Sequence, residues 1–180
     1  MLEAQTITGD RVSLRPISTE DTDAIVRWRN SEGVRPFFLM DEPLTVEMHR
    51  QWLATKVATG KAVQFIISDK ESNQDIGSVY LRDIDTESGQ AEFGIYLGEE
   101  EVRGRGFGRE ASSLILAYAW KTLGLGRVYL RVRSDNSAAL RCYTNIGFLP
   151  MAEKQPPDDT SVCDDVDVVF MQVLNPGVGK

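Results

Sequence analysis

The chain is poor in the residues that cross-link small proteins or hold metal ions. Its 180 residues include only two cysteines, Cys142 and Cys163, and a single histidine, His49. Two cysteines do not make a disulfide framework, which is typical of a reducing compartment, so we expect a cytoplasmic protein. One histidine and no cysteine pair at ligand spacing predict that the chain holds no metal.

Long apolar runs are missing as well. No stretch approaches the roughly 18 apolar residues that a membrane-spanning helix needs, and no signal-peptide pattern is present, so we expect no membrane partner. Hydrophobic residues make up 42% and charged residues 26% of the chain, which are ordinary globular values. The length predicts one domain over residues 1–180.

The charge is unevenly distributed along this acidic chain. The net charge is −7, yet residues 103–141 carry eight basic and two acidic residues, so this segment is +6 and the remainder −13. A basic island in an acidic chain favours a local anionic ligand, and we expect no nucleic-acid partner, because nucleic-acid binding proteins present a broadly basic face.

A glycine-rich segment lies at the start of that island. Arg103-Gly104-Arg105-Gly106-Phe107-Gly108 is followed by a helical pattern over residues 109–123. A glycine turn before a helix N-terminus is suited to a phosphate or pyrophosphate. A Walker loop is excluded because Arg109 and Glu110 follow Gly108, and a dinucleotide fingerprint is excluded because its third glycine position holds Arg109.

The order of predicted elements is that of a mixed α/β protein. Hydrophobic periodicity and capping residues predict helices over 24–28, 45–58, 109–123 and 137–145. Alternating apolar residues predict one strand that starts at 12–14. They predict further strands over 63–67, 76–81, 91–97, 128–132, 148–151 and 168–174.

Two motifs resemble those of the GNAT acetyltransferase superfamily. The first is Arg103-x-x-Gly106-x-Gly108, which is similar to the acyl-CoA pyrophosphate loop of that family, and the second runs from Asn136 to Phe148. The resemblance implies a mostly antiparallel mixed sheet of six to seven strands flanked by about four helices. It also implies an enzyme that transfers an acetyl group from acetyl-CoA directly to a primary amine.

The resemblance also implies where acetyl-CoA binds. The strand over 91–97 lies along the pantetheine arm, a backbone N–H near Leu97 polarises the thioester carbonyl, and the glycine loop holds the pyrophosphate. The implied cofactor-binding residues are Tyr96, Leu97, Arg103, Gly104, Arg105, Gly106, Phe107, Gly108, Arg109 and Asn136.

Two catalytic residues are predicted. Tyr143 lies two helical turns after Asn136 and is the expected general acid for the CoA thiolate. Since an alkylamine is mostly charged at pH 7, a base is also needed. Glu92 matches an Ala-Glu-Phe segment of several GNAT subfamilies, and Gly94 would leave open space beside its carboxylate, so Glu92 is the candidate base, acting through water.

The acceptor is less clearly indicated. The expected acceptor-binding residues are Trp28, Arg29, Asn30 and His49, a series similar to that of acetyltransferases acting on nucleotide-linked amino sugars. The strand and Asn136-to-Tyr143 spacing also resemble polyamine acetyltransferases and the group that acetylates ribosomal-protein N-termini. A non-catalytic acyl-CoA-binding module and a homodimer both stay open at this stage.

Overall fold

One mixed sheet forms the centre of the protein, which the computed structural model describes over residues 5–39, 42–151 and 167–177. Its strands are β1 (Ile7–Thr8), β2 (Val12–Pro16), β3 (Ala62–Asp69), β4 (Gln74–Asp85), β5 (Gln90–Leu97), β6 (Arg127–Arg133), β7 (Leu149–Pro150) and β8 (Val168–Leu174). They lie side by side in the order β1-β2-β3-β4-β5-β6-β8-β7. Among these eight described strands, β5 and β6 pair in parallel and the other neighbours are antiparallel.

In the described part of the chain, four α-helices cover the two faces of this sheet. They are α1 (Thr22–Asn30), α2 (Val46–Trp52), α3 (Phe107–Lys121) and α4 (Ser137–Ile146). The apolar sides of α3 and α4 pack into the larger core cluster, whereas α1 packs Ile25 and Trp28 against Tyr96 on the other face. No helix in the described part of the chain is long and apolar enough to cross a membrane.

The predicted fold class and element order are confirmed, with two corrections. Over residues 5–39, 42–151 and 167–177 the sheet has eight strands rather than six to seven, because the two residues of β1 are too few to give a periodic pattern. Helix α2 ends at Trp52 and continues as a π-helical turn over Leu53–Val57, instead of running as an α-helix to residue 58. Cys163 lies outside the described residues.

Local sequence signals explain where three helices begin or end. The Thr45 hydroxyl accepts a hydrogen bond from the Met48 N–H and caps α2. The Asn136 side chain caps α4 by accepting from the Ala139 N–H at 3.1 Å. Helix α4 ends at Gly147, whose φ of 113° is in the left-handed region that glycine adopts most easily.

The parallel pair in the sheet separates soon after it forms. Residues 90–92 of β5 pair with residues 127–129 of β6, and Glu92 opposite Tyr129 is the last pair between them. Beyond it β5 continues to Leu97 on its pairing with β4, and β6 continues to Arg133 on its pairing with β8. The two strands therefore diverge and leave a wedge-shaped cleft between residues 93–97 and residues 130–133.

Candidate active site

The glycine loop forms a cradle of backbone donors at one end of the cleft. Gly104 and Gly106 have φ of 73° and 87°, a conformation that side chains with a Cβ rarely adopt. Glu110 is the first residue of α3 whose backbone N–H donates a hydrogen bond within the helix, to the Gly106 carbonyl at 3.2 Å. The N–H groups of Phe107, Gly108 and Arg109 therefore point out of the first turn of α3, as an anion requires.

Space for a ligand exists beside this turn. A Cβ added to Gly104 would meet no atom within 4 Å, so the backbone there is open to close approach, whereas a Cβ added to Gly108 would be in ordinary contact with the Ile95 and Leu97 side chains at 3.9 Å. The Phe107 side chain is fully buried, at 1% exposure, and anchors the loop in the core. Phe107 thus contributes only its N–H to the predicted pyrophosphate site.

The loop is held from the outside by the turn between β1 and β2. The Arg11 side chain donates from Nη1 to the Arg105 carbonyl at 2.6 Å, and its guanidinium lies 4.5 Å above the Phe107 ring. The Glu110 carboxylate accepts from the backbone N–H groups of Arg11 and Val12 at 2.9 and 3.2 Å. Sequence reasoning missed Arg11, since it lies 94 residues before its partner.

Arg103, predicted to bind the cofactor, links the loop to the end of β5. Its Nη2 donates to the Leu97 carbonyl at 3.1 Å, and its Nη1 lies 3.7 Å from the Glu100 carboxylate. The guanidinium also packs against Gly33, where an added Cβ would lie 2.7 Å from Nη1. Arg103 therefore fixes the strand end and the segment after α1 in one arrangement.

The Leu97 N–H is directed into the cleft. The Gly98 N–H donates to the Ile76 carbonyl on β4 at 2.9 Å. Successive N–H groups of a strand point to opposite edges, so the Leu97 N–H points away from β4 and towards the edge that β6 has left. This geometry suits a donor to a thioester oxygen, the role that the sequence analysis expected for this position.

Tyr143 reaches the cleft from the α4 side. Its ring centroid lies 5.9 Å from that of Phe93, whose side chain belongs to the same face of β5 as Leu97. Burial is the main cause that raises the pKa of Tyr143 above its usual range, with smaller contributions from Cys142 and Tyr80. The phenol is therefore neutral at pH 7, as a general acid must be.

The neighbouring cysteine is not arranged as a nucleophile. Burial raises the pKa of the Cys142 thiol, and the positive charge of Arg109 only partly opposes this. A protonated thiol is a poor nucleophile, so direct transfer to the amine is favoured over an acetyl-cysteine intermediate.

Glu92 is bound by two arginines. Arg82 donates to its carboxylate from Nε and Nη2 at 2.8 to 3.1 Å, and Arg131 donates from Nε at 3.0 Å. The side chains of Glu92 and Arg131 are only 7% and 4% exposed. A base at this position would have to release a guanidinium before taking a proton, so the geometry favours a role in joining β4, β5 and β6.

The space expected beside Gly94 is filled by a side chain. Tyr80 stands opposite Gly94 in the β4–β5 pairing, and a Cβ added to Gly94 would lie 2.2 Å from the Tyr80 Cζ. This corrects the expectation of open room for water next to Glu92. A glycine in a strand often marks such a close approach, which is the signal that could have revealed Tyr80.

Two of the expected acceptor residues are used structurally. The Trp28 ring is 2% exposed, packs on Gly98 and donates from Nε1 to the Glu99 carboxylate at 2.7 Å. The Asn30 side chain exchanges two hydrogen bonds of 2.8 Å with the Leu44 backbone. The Trp28 ring is buried, and its acceptor-binding role stays a prediction.

Arg29 and His49 belong to a buried polar group beneath Phe38. The Arg29 guanidinium lies 3.4 Å from the centre of the Phe38 ring, and the Phe38 ring contacts Tyr96 at 5.6 Å. Three of the atoms here have no hydrogen-bond partner: Arg29 Nε, His49 Nε2 and the Tyr96 hydroxyl. Burial lowers the pKa of His49 and raises that of Tyr96, so both are neutral at pH 7.

A cavity opens between the segment after α1 and the end of β6. Its volume is about 490 Å³, and its lining residues are Asn30, Ser31, Glu32, Arg35, Pro36, Phe38 and Arg133. Because Arg133 is the last residue of β6, the cavity adjoins the open end of the cleft. Within the described residues, no three His, Cys, Asp or Glu side chains are grouped to hold a metal ion.

Comparison with known proteins decides the family. A family model described as an acetyltransferase (GNAT) domain matches residues 11–149. The chain belongs to the GNAT acetyltransferase family. Alpha/beta-tubulin-N-acetyltransferase 9 of Drosophila melanogaster is 30% identical over 79% of this chain and 78% of its own. A longer uncharacterized protein of Methanocaldococcus jannaschii is 28% identical, and the match covers 77% of this chain but 28% of that protein.

Solved structures show the same fold. The spermidine N-acetyltransferase of Vibrio cholerae, in complex with CoA and spermine, superimposes with a TM-score of 0.78 at 22% identity and covers 92% of this chain and 96% of that chain. The family match, with relatives named N-acetyltransferases, shows that this GNAT protein is an acetyl-CoA-dependent N-acetyltransferase. The roles of the glycine loop, the cleft and Tyr143 stay predictions.

Proposed function

We propose that the enzyme acetylates a primary amine on a molecule that also carries a negative charge, with a nucleotide-linked amino sugar as the leading candidate. The observation that carries this proposal is the charge of the cavity beside the cleft. Two arginines, Arg35 and Arg133, line it with one glutamate, Glu32. Arg133 also donates to the Asp135 carboxylate from Nε and Nη2 at 3.0 and 2.8 Å, so a phosphate would share this guanidinium with Asp135. The two guanidinium groups on the cavity wall favour an anionic acceptor over a polycation.

The position of the cavity fits this assignment. Arg133 ends β6 at the mouth of the cleft, and the half-buried Arg29 places its guanidinium 3.4 Å from the centre of the Phe38 ring in the cavity wall. A phosphate bound by Arg35 and Arg133 would leave the amino group of the same molecule free to enter the cleft between β5 and β6. Phe38 offers an aromatic face next to the arginines for a sugar or a base.

The cleft supplies the groups that acetyl transfer requires. The N–H groups of Phe107, Gly108 and Arg109 bind the pyrophosphate, and the pantetheine arm lies along the open edge of β5. The Leu97 N–H stabilises the charge that develops on the thioester oxygen, and Tyr143 protonates the departing sulfur. In this proposal Asn136 caps α4 and so holds Tyr143 at its place.

Polyamine and protein N-terminal acetylation are the competing functions. The neighbours named spermidine N-acetyltransferase and tubulin N-acetyltransferase support them by similarity. A polyamine needs carboxylates around its ammonium groups, whereas the residues lining the cavity include two arginines and one glutamate, with Asp135 paired to Arg133 next to the cavity. An acidic peptide would satisfy the same arginines, so it belongs among the test acceptors.

The homodimer left open by the sequence is also part of this proposal. Leu149 and Leu174 are 65% and 60% exposed on the β7–β8 edge of the sheet, where a second copy would cover them. The Vibrio cholerae spermidine N-acetyltransferase forms a dodecamer in one structure. Light scattering of the wild type and of Leu149→Glu would test a homo-oligomer, since the variant should shift towards monomer.

The experiment that tests the acceptor is release of free thiol from acetyl-CoA across a small set of amines. The set contains a nucleotide-linked amino sugar, spermidine and an acidic peptide with a free N-terminus. We expect release well above acetyl-CoA hydrolysis with the amino sugar and a raised acceptor KM in Arg133→Gln. Release with spermidine alone, unchanged in Arg133→Gln, would overturn the anionic-acceptor assignment.

A further inference from the structure

The hydroxyl of Tyr80 lies where the cleft opens. Tyr80 stands on β4, and its ring crosses Gly94 of β5, so that a Cβ on Gly94 would lie 2.3 Å from the hydroxyl oxygen. Gly94 comes two residues after Glu92, the last residue of β5 that pairs with β6. The side chain therefore points across β5 towards the edge from which β6 has separated.

Tyr80 and Tyr143 approach this edge from opposite faces of β5. Tyr143 packs on Phe93, whose side chain points to the α3 and α4 face, whereas Tyr80 crosses Gly94 on the α1 and α2 face. Their proximity is also seen in the pKa of Tyr143, to which Tyr80 contributes after burial and Cys142. A thioester in the cleft would thus have one phenol on each side.

The ring of Tyr80 is held in place, while its hydroxyl stays available. The Trp52 ring packs edge-on against it at 6.5 Å, and Trp52 itself donates to the Gln64 side chain at 2.9 Å. Gln64 in turn donates to the Ser78 hydroxyl at 3.0 Å. The Tyr80 hydroxyl makes no hydrogen bond to any group in the described part of the chain, and the residue is only partly buried.

We propose that the Tyr80 hydroxyl binds the attacking amine, on the side of the thioester opposite to Tyr143. The amine nitrogen forms the C–N bond with the acetyl carbon while the C–S bond breaks. The Tyr143 hydroxyl gives its proton to sulfur and is reprotonated from solvent. An alkylamine arrives as an ammonium ion, which donates a hydrogen bond to the Tyr80 oxygen and loses one proton to water beside Tyr80 before the attack. The second nitrogen proton leaves to water as the C–N bond forms.

The test uses two small amines that need no acceptor cavity, so its result does not depend on the acceptor assignment. Ethanolamine is an ammonium ion at pH 7, whereas the nitrogen of hydroxylamine is already neutral. In Tyr80→Phe we expect kcat/KM for ethanolamine to fall about 10- to 100-fold, the effect of one lost hydrogen bond to a charged group. The kcat/KM for hydroxylamine and the Kd of acetyl-CoA should change little.

Two further variants separate this role from packing. Gly94→Ala displaces the far end of the Tyr80 side chain and should reproduce the selective loss, with no additive effect in the double variant. Tyr118→Phe, a half-buried tyrosine of α3, is the matched control and should leave both amines unaffected. Equal losses for the two amines, or no loss for either in Tyr80→Phe and Gly94→Ala, would overturn the proposal.

Discussion

The carboxylate of Glu92 accepts a hydrogen bond from Arg131 at 3.0 Å at the last pair between β5 and β6. Arg82 on β4 binds the same carboxylate, so one buried acid joins three strands. The cleft opens immediately beyond this cluster. The ion pairs of Glu92 with Arg82 and Arg131 therefore fix the point at which β5 and β6 diverge. They thereby also fix the position of the Leu97 N–H.

Replacing Glu92 should affect stability. Glu92→Gln removes the negative charge between two guanidinium groups, of which Arg131 is almost fully buried. We expect the free energy of unfolding to fall by about 3 kcal/mol, measured by urea denaturation. Glu87→Gln on the exposed turn after β4 is the control. An unchanged stability together with turnover that falls most at low pH would return Glu92 to the role of base.

Removing the phenol of Tyr143 should slow the chemical step. In Tyr143→Phe we expect kcat to fall about 100-fold or more, with the Kd of acetyl-CoA unchanged, because only the proton donor is lost. The raised pKa of Tyr143 keeps the acid form present to a higher pH than in a free tyrosine. The wild-type kcat should therefore show no loss from this group up to about pH 9. A variant with normal turnover would remove Tyr143 from the mechanism.

Arg11 should control affinity for the nucleotide part of acetyl-CoA. It contacts the Arg105 carbonyl and the Phe107 ring, so Arg11→Ala loosens the loop that presents the N–H donors. We expect the KM for acetyl-CoA to rise about 10-fold, which is the usual effect of losing one hydrogen bond from a charged group, while kcat changes little.

A substrate without the pyrophosphate provides the control for Arg11. S-acetylpantetheine does not reach the loop, so its kcat/KM should be the same in the wild type and in Arg11→Ala. Lys61→Ala, which removes an exposed positive charge elsewhere, should leave both substrates unaffected. Equal losses for acetyl-CoA and S-acetylpantetheine would show that Arg11 acts on the whole fold instead.

His49 should make stability depend on pH. Burial lowers its pKa in the folded protein, so the unfolded chain binds a proton near pH 6.5 while the folded protein does not. Neutral His49 makes its full contribution to the free energy of unfolding above about pH 6.5, and this contribution is lost as the pH falls below that value. In His49→Gln, unfolding free energies measured between about pH 7.5 and about pH 5.5 should decline less than in the wild type. Identical declines would contradict this.

The local part of the site was predictable from the sequence because its signals are local. Glycines with positive φ, the caps at Thr45 and Asn136 and the end of α4 at Gly147 all follow from residues a few positions apart. The GNAT motifs then led to the predicted roles of the glycine loop, of β5 and of Tyr143.

Contacts between distant residues were not predictable in the same way. Arg131 is 39 residues from Glu92, and Tyr80 reaches Gly94 only through the register of two strands. A sequence pattern shows that Glu92 and Gly94 share a strand face, but it does not show which side chain from the next strand fills that face. The burial of Trp28 has the same origin, since Gly98 packs on its ring.

A comparison of kcat/KM for a nucleotide-linked amino sugar and for spermidine at equal ionic strength tests most directly whether this amine acetyltransferase takes an anionic acceptor. We predict acetyl-CoA-dependent thiol release that favours the amino sugar, with the preference lost in Arg133→Gln. A preference for spermidine in the wild type, or a preference for the amino sugar that survives in Arg133→Gln, would contradict the account.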